Sequence, residues 1–195
     1  DGRVQAIATR ARLDSHRLIE DYMIAANVAA AETLARLNMP ALNRMQLVKD
    51  LIEAAGTKVI VFVPFTSAVR VLAEYLEREL NPNYAGEYEH VGVIYGDVPK
   101  QKRDEIFHGF QKEQYPRYIV AQPMAMSHGL TLTEASTIIW YAPINSNDTY
   151  EQANGRITRP GQRNAQFIIN IEGTALERKM YARLKDKQDM QGILL

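Results

Sequence analysis

No cysteine occurs anywhere in the 195 residues. Disulfides and thiolate metal sites are thereby excluded. Histidine is scarce and scattered, at positions 16, 90, 108 and 128, which argues against a zinc site. Net charge is also absent, since 23 basic residues balance 23 acidic ones. A whole-molecule attraction to a polyanion is therefore not expected, and any such contact must come from a local patch. No apolar run reaches the roughly 20 residues that cross a bilayer, so no membrane partner is expected. The first ten residues, DGRVQAIATR, lack the apolar middle of a secretory leader. They begin without methionine, as a piece of a longer polypeptide would. The expected compartment is the cytoplasm, or the nucleoid or nucleus if the chain acts on DNA. The pattern GxxxxGK[ST] is missing as well. Nothing here is then equipped to cradle a triphosphate or carry its magnesium. Asp104-Glu105 imitates part of a DExx box, but it sits in a charged helical stretch rather than after an apolar strand.

What is present is the mix of a globular protein, 46% hydrophobic and 24% charged. Residues 1–13 read as a short extended piece, and a long alanine-rich helix follows. Asp14 stands at its N-terminus, and Leu18, Ile19, Tyr22, Met23 and Ala26 recur at helical spacing. Asn38, Met39 and Pro40 stop it. From Asn43 the texture changes. A short amphipathic helix carrying Leu47, Leu51 and Ile52 ends at Gly56. Five apolar runs follow: KVIVFV (58–63), HVGVIYG (90–96), RYIVA (117–121), STIIWYA (136–142) and AQFIINIE (165–172). They read as strands. Helices are expected from Thr66 or Ser67, as N-cap, to about Leu80, from Asp97–Pro99 to Phe110, and over Thr174–Lys187. This alternation predicts an α/β fold, a parallel sheet of about five strands with helices on both faces, preceded by a helical segment over residues 1–42.

In such sheets the loops at the strands' C-terminal ends form the ligand edge. Here they are Pro64–Ser67, Tyr95–Lys100, Ala121–Thr133 and Ala142–Tyr150, and most of the unusual residues fall in them. The stretch YEQANGRITRPGQ (150–162) follows the fourth. If Glu151–Thr158 is helical, Gln152, Gly155, Arg156 and Arg159 share one face. Gly155 would cost about 1 kcal/mol inside a helix, which a close approach by something else would explain. Pro160 and Gly161 would end the helix. Two guanidinium groups on one rigid face suit an anion such as a triphosphate, although solvated arginines at a helix end have the same sequence pattern.

Four segments together resemble the second RecA-like lobe of a superfamily-two helicase or translocase, with the Swi/Snf-type branch nearest. They are KVIVFVPFTSAVRVLAEYL, VIYGDVPKQKRDEIFHGFQ, YIVAQPMAMSHGLTLTEASTIIWYAPINSNDTYEQANGRITRPGQ and FIINIEGTALERKMYARLKDKQDM. They occur in family order over residues 45–195, and QxxGRxxRxGQ is the most specific pattern among them. The resemblance implies roles at individual positions. Arg156 and Arg159 match arginine fingers that reach an ATP, with its magnesium, held by an N-terminal RecA-like lobe. Gln152, Gly155 and Gly129 would lie against the nucleotide. Ser127–Leu132 matches the loop that joins the nucleotide and nucleic-acid sites. Phe65, Thr66, Ser67, Gly96, Asp97, Arg103, Ser127, His128 and Thr131 would line or support a sequence-blind track for a DNA or RNA backbone. Two departures stand out. Gly155 replaces the acidic residue usual in the remodelling branch, and Met126-Ser127-His128-Gly129 is bulkier than that branch's glycine-rich loop. Separately, residues 3–42 resemble a helical segment of the ribonuclease R catalytic domain, without that family's acidic metal-binding cluster.

These readings converge on half of an ATP-dependent nucleic-acid motor that does not hydrolyse ATP alone. The alternatives are a non-enzymatic nucleic-acid-binding module and a chimeric polypeptide in which residues 1–42 merely complete the fold.

Overall fold

The computed structural model describes residues 44–126, 132–158, 162 and 164–193, with side chains to residue 185. The expectations for residues 1–42, both the helix and the ribonuclease-like resemblance, lie outside the described residues.

Helix α1 (Arg44–Ala55) leads into β1 (Lys58–Phe62), α2 (Thr66–Leu80) and β2 (Val91–Ile94). Then come α3 (Lys100–Lys112), β3 (Tyr118–Ala121), a 3-10 turn (Pro123–Met126) and β4 (Ala135–Trp140). Helix α4 (Asn147–Asn154), β5 (Phe167–Asn170) and α5 (Ala175–Ile193) complete the chain. Every strand pairing is parallel, in the order β2-β3-β1-β4-β5. This is the parallel α/β sheet that the alternating pattern predicts, in the RecA-like form that the resemblance implies.

Strand β1 lies at the centre, and the run Val59–Val63 is fully buried because both faces of the sheet are covered. Its side chains alternate between two cores. Ile60 and Phe62 join Ile94, Ile119, Ile138 and Trp140 under α3, α4 and α5, which contribute Phe107, Phe110, Tyr150, Ala153 and Tyr181. Val59, Val61 and Val63 join Val120 and Ile139 under α1 and α2, which contribute Val48, Ile52, Val69, Leu72 and Leu76. Period-2 strands and period-3.6 helix stripes thus lock together without a polar layer.

Gly56 and Gly92 are among the glycines that geometry requires. Gly56 takes a φ of +63°, the left-handed turn that ends α1. A Cβ on Gly92 would stand 2.5 Å from Ile106 Cγ2, so only glycine lets α3 lie on β2.

Two helix starts differ from expectation. Helix α2 begins at Thr66 with Phe65 in the cap position and no side-chain cap, so neither Thr66 nor Ser67 is the N-cap. Helix α4 begins at Asn147, not Glu151, because Ser146 accepts the Thr149 amide at 3.2 Å and caps it. It ends at Asn154, with Gly155 as C-cap. The strands are one to four residues shorter than expected, although single bonds such as Val63 N to Ala121 O and Tyr141 N to Phe62 O, each at 2.9 Å, continue past their ends.

Candidate functional site

The strand-end rim is built by a few polar side chains that tie its loops to one another. Gln122, the first residue past β3, donates its backbone amide to Ile94 O at 2.8 Å and its side chain to Pro64 O at 3.1 Å. The loops after β1, β2 and β3 are thereby joined at one residue. Arg103 reaches from α3 and donates to Ala125 O at 3.1 Å, which places it beneath the 3-10 turn as a support. Thr149 in α4 contacts Met124 Sδ at 3.5 Å, bringing the fourth loop to the same rim. On this rim Phe65 is 54% exposed and Met124 66%. Gly96 and Asp97 are exposed, and Thr66 and Ser67 are half-buried in the first turn of α2. The structure therefore gathers Phe65, Thr66, Ser67, Gly96, Asp97 and Arg103 along one edge. Ser127, His128, Gly129 and Thr131 lie outside the described residues.

The far side of the rim is closed by an ion pair. Arg44, the first residue of α1, engages the Glu177 carboxylate and donates to Tyr141 O at 2.9 Å. Glu177 also accepts the amides of Gly173 and Thr174. Burial raises the Glu177 pKa, but the Arg44 guanidinium and the Gly173 amide outweigh it, and the net shift is downward. Burial likewise pushes Tyr141 and Tyr181 upward.

The arginine segment departs from its expected form. Helix α4 tightens past Asn154, with Arg156 N bonding Ala153 O at 3.3 Å and Ile157 N bonding Asn154 O at 3.4 Å. Arg156 therefore sits in a narrowed final turn beyond the helix, not on a continuous face running to Thr158. It is 5% exposed, whereas a projecting side chain was expected. Gln152 is exposed and Gly155 half-buried. Gly155 has an ordinary right-handed backbone at φ −61°, and as a C-cap it carries no helix-interior penalty. Arg159 lies outside the described residues.

Several bonds hold this segment in place, and only some of them concern the residues that the pattern singled out. Leu132, directly after residues 127–131, donates its amide to Arg156 O at 3.1 Å. That bond fastens the loop after β3 to the arginine turn. Trp140 Nε1 donates to Asn154 Oδ1 at 2.9 Å, and Tyr150 Oη donates to Asn170 Oδ1 at 3.1 Å. Gln162, which closes the pattern, returns to the start of β4 by donating to Ala135 O at 2.8 Å. Sequence reading passed over Gln122, Trp140, Asn154 and Arg44. A lone glutamine, tryptophan or asparagine carries no spacing signal, and their partners lie 14 to 133 positions away.

Asp104 and Glu105 are exposed on α3, beside an open depression of about 750 Å³ lined also by Lys100, Gln101, His108 and Glu113. They lie on a helix, as expected of a chance DE pair. Among the described residues no group of His, Asp or Glu could hold a metal ion, and no helix is long and apolar enough to cross a membrane.

The chain is similar to several known proteins. Protein 172L of Invertebrate iridescent virus 6, which carries the word helicase in its name, is 31% identical over 136 residues, covering 69% of this chain and 21% of its own. The Sulfolobus solfataricus SWI2/SNF2 ATPase core in complex with dsDNA is 28% identical, with a TM-score of 0.57 over 75% of this chain and 30% of that one. S. cerevisiae Dbp5 bound to RNA and ADP BeF3 superposes with a TM-score of 0.61 over 73% of this chain and 35% of that one; at 17% identity it shows the fold alone. The chain spans 6% to 21% of the length of such curated relatives. Residues 43–161 match the family described as the helicase conserved C-terminal domain. With that match covering more than half of its length, this chain belongs to the helicase C-terminal domain family and is a superfamily-two, Swi2/Snf2-like second lobe.

Proposed function

We propose that this lobe completes an ATP-dependent nucleic-acid motor by closing against a second, P-loop-bearing lobe. In this reading ATP and its magnesium sit on that other lobe, and the arginine turn approaches the γ-phosphoryl group. Arg159 stabilises the charge that develops there, and Arg156 holds the base of the turn while contributing its own field. Gln152, Gly155 and Gly129 lie beside the nucleotide. A guanidinium shielded from water interacts with an anion more strongly than a solvated one, so the burial of Arg156 suits this division of labour. The rim with Phe65, Thr66, Ser67, Gly96, Asp97, Ser127, His128 and Thr131 follows the phosphate backbone of DNA or RNA, and Arg103 supports it from below.

The observation that carries the proposal is the bond from Leu132 to Arg156. It joins the loop assigned to the strand track with the turn assigned to the nucleotide, which is the connection a motor needs. The fit to ATP is a fit to its phosphates, since the described residues offer no acidic metal cage.

The test is steady-state hydrolysis by the lobe joined to its P-loop partner, with duplex DNA and single-stranded RNA as alternative activators. Arg159→Ala should lower turnover by about 10³-fold or more, with nucleotide affinity nearly unchanged. Turnover near that of the unaltered protein rejects the assignment. If the lobe by itself binds either nucleic acid tightly and with strong salt dependence while no pairing hydrolyses ATP, it is a binding module instead.

A further inference from the structure

We infer that Trp140 and Asn154 act as positioning residues for the arginine turn. The inference rests on the nucleotide-coupling role just proposed.

Trp140 is the last residue of β4, the strand between β1 and β5, and it is fully buried. Its ring lies 4.9 Å from that of Phe62 on β1 and 4.7 Å from that of Tyr150 on α4. The indole thus cannot shift without the central sheet moving. From that fixed point Nε1 donates to Asn154 Oδ1 at 2.9 Å. Asn154 is itself buried and is the last residue of α4, two positions before Arg156. The helix tightens over the following residues, and a tightened turn has no fixed end of its own. The indole bond supplies one.

Packing alone would not do this. Apolar contact is non-directional, whereas a hydrogen bond weakens steeply as its angle opens. Both partners are out of water, so neither can trade the bond for solvent. The geometry therefore sets how far the helix end is rotated about its axis, and with it the direction of Arg156 and of the residues that follow. Two flanking bonds, Leu132 N to Arg156 O and Gln162 Nε2 to Ala135 O, hold the segment downstream of that point.

The experiment uses the lobe joined to its P-loop partner and measures kcat, KM for ATP and thermal unfolding of each variant. Trp140→Phe removes the donor and keeps a ring. Asn154→Leu removes the acceptor at similar volume. Each should lower kcat by on the order of tenfold to a hundredfold, with KM for ATP changed less than about threefold. The double variant leaves no orphaned partner. It should unfold at a higher temperature than either single variant while kcat stays low. Recovery of kcat together with stability in the double variant would reduce the pair to a structural contact and overturn the inference. So would single variants that turn over normally while Arg159→Ala is inactive. If Arg159→Ala is itself fully active, the nucleotide role of the segment falls, and this inference falls with it.

Discussion

The two ends of the sheet are built on opposite principles. At the end where the strands begin, the described polar groups are drawn inward and matched. Glu77 is completely buried in the last turn of α2. Its carboxylate accepts the amides of Glu89, His90 and Val91 and the side chain of Asn81, at 2.7 to 3.1 Å. Lys58 caps the end of α3 by donating to the Phe110 and Glu113 carbonyls. Thr57 and Ser136 share a hydrogen bond at 2.8 Å, and the rings of His90 and Tyr115 stack at 4.4 Å. At the other end, where the strands finish, Phe65 and Met124 face solvent, and Asn147 Oδ1 is buried without a partner. One end spends its polar groups on stability; the other leaves the large apolar side chains Phe65 and Met124 in solvent.

If that contrast holds, substitutions at the two ends should separate into stability effects and functional effects. The largest is expected at the closed end. Glu77→Ala orphans three amides around the start of β2 and should cost about 3–4 kcal/mol. Urea unfolding measures it, and a loss under about 1 kcal/mol would mean that water replaces the carboxylate and that this end is not sealed.

A smaller effect is expected where the open end is itself closed, at Arg44 and Glu177. Glu177→Gln should cost about 1–2 kcal/mol at neutral pH, since a charge-assisted pair is lost. Because the folded-state pKa of Glu177 is depressed, its contribution is complete above the usual carboxylate value of 4.5. It fades as pH falls through the lowered folded-state value. The parent and Glu177→Gln should therefore converge in stability below that range. A constant gap down to pH 2 would show that the contribution is packing rather than charge.

The smallest stability effect belongs to the exposed rim. Phe65→Ser and Met124→Ser should each change unfolding free energy by about 0.5 kcal/mol or less. Nucleic-acid affinity at low salt should nevertheless drop if these side chains meet a strand or a partner bound to it. Unchanged affinity in both variants would remove the apolar rim from the track.

The fold was legible because its signals are local. KVIVFV is buried on both faces and says so by lacking alternation, and Gly56 announces the end of α1. The arginine pattern was legible as a motif but not as a shape. Reading Pro143–Thr149 as a plain turn missed Ser146-Asn147-Asp148-Thr149, a cap with an acid in the first turn, and so placed α4 four residues late. A second error, running the helix on to Thr158 when it ends at Asn154, turned Arg156 from a residue in a tightened, buried turn into one on a projecting helix face. The positioning bonds were invisible for a different reason. Trp140 and Asn154, or Gln122 and Pro64, meet only after the sheet has brought distant strand ends together. No periodicity along the chain encodes such a meeting.

The link from Leu132 to Arg156 runs from main-chain amide to main-chain carbonyl. Alanine scanning would not sever it, because every ordinary residue at either position restores the same two groups, whatever the loss of the buried Leu132 or Arg156 side chain costs by itself. Only a change to the backbone itself can sever it: proline at 132, or an ester in place of that amide. A mutational survey of this lobe would then read the packing and charge of these two side chains while leaving the main-chain joint itself intact.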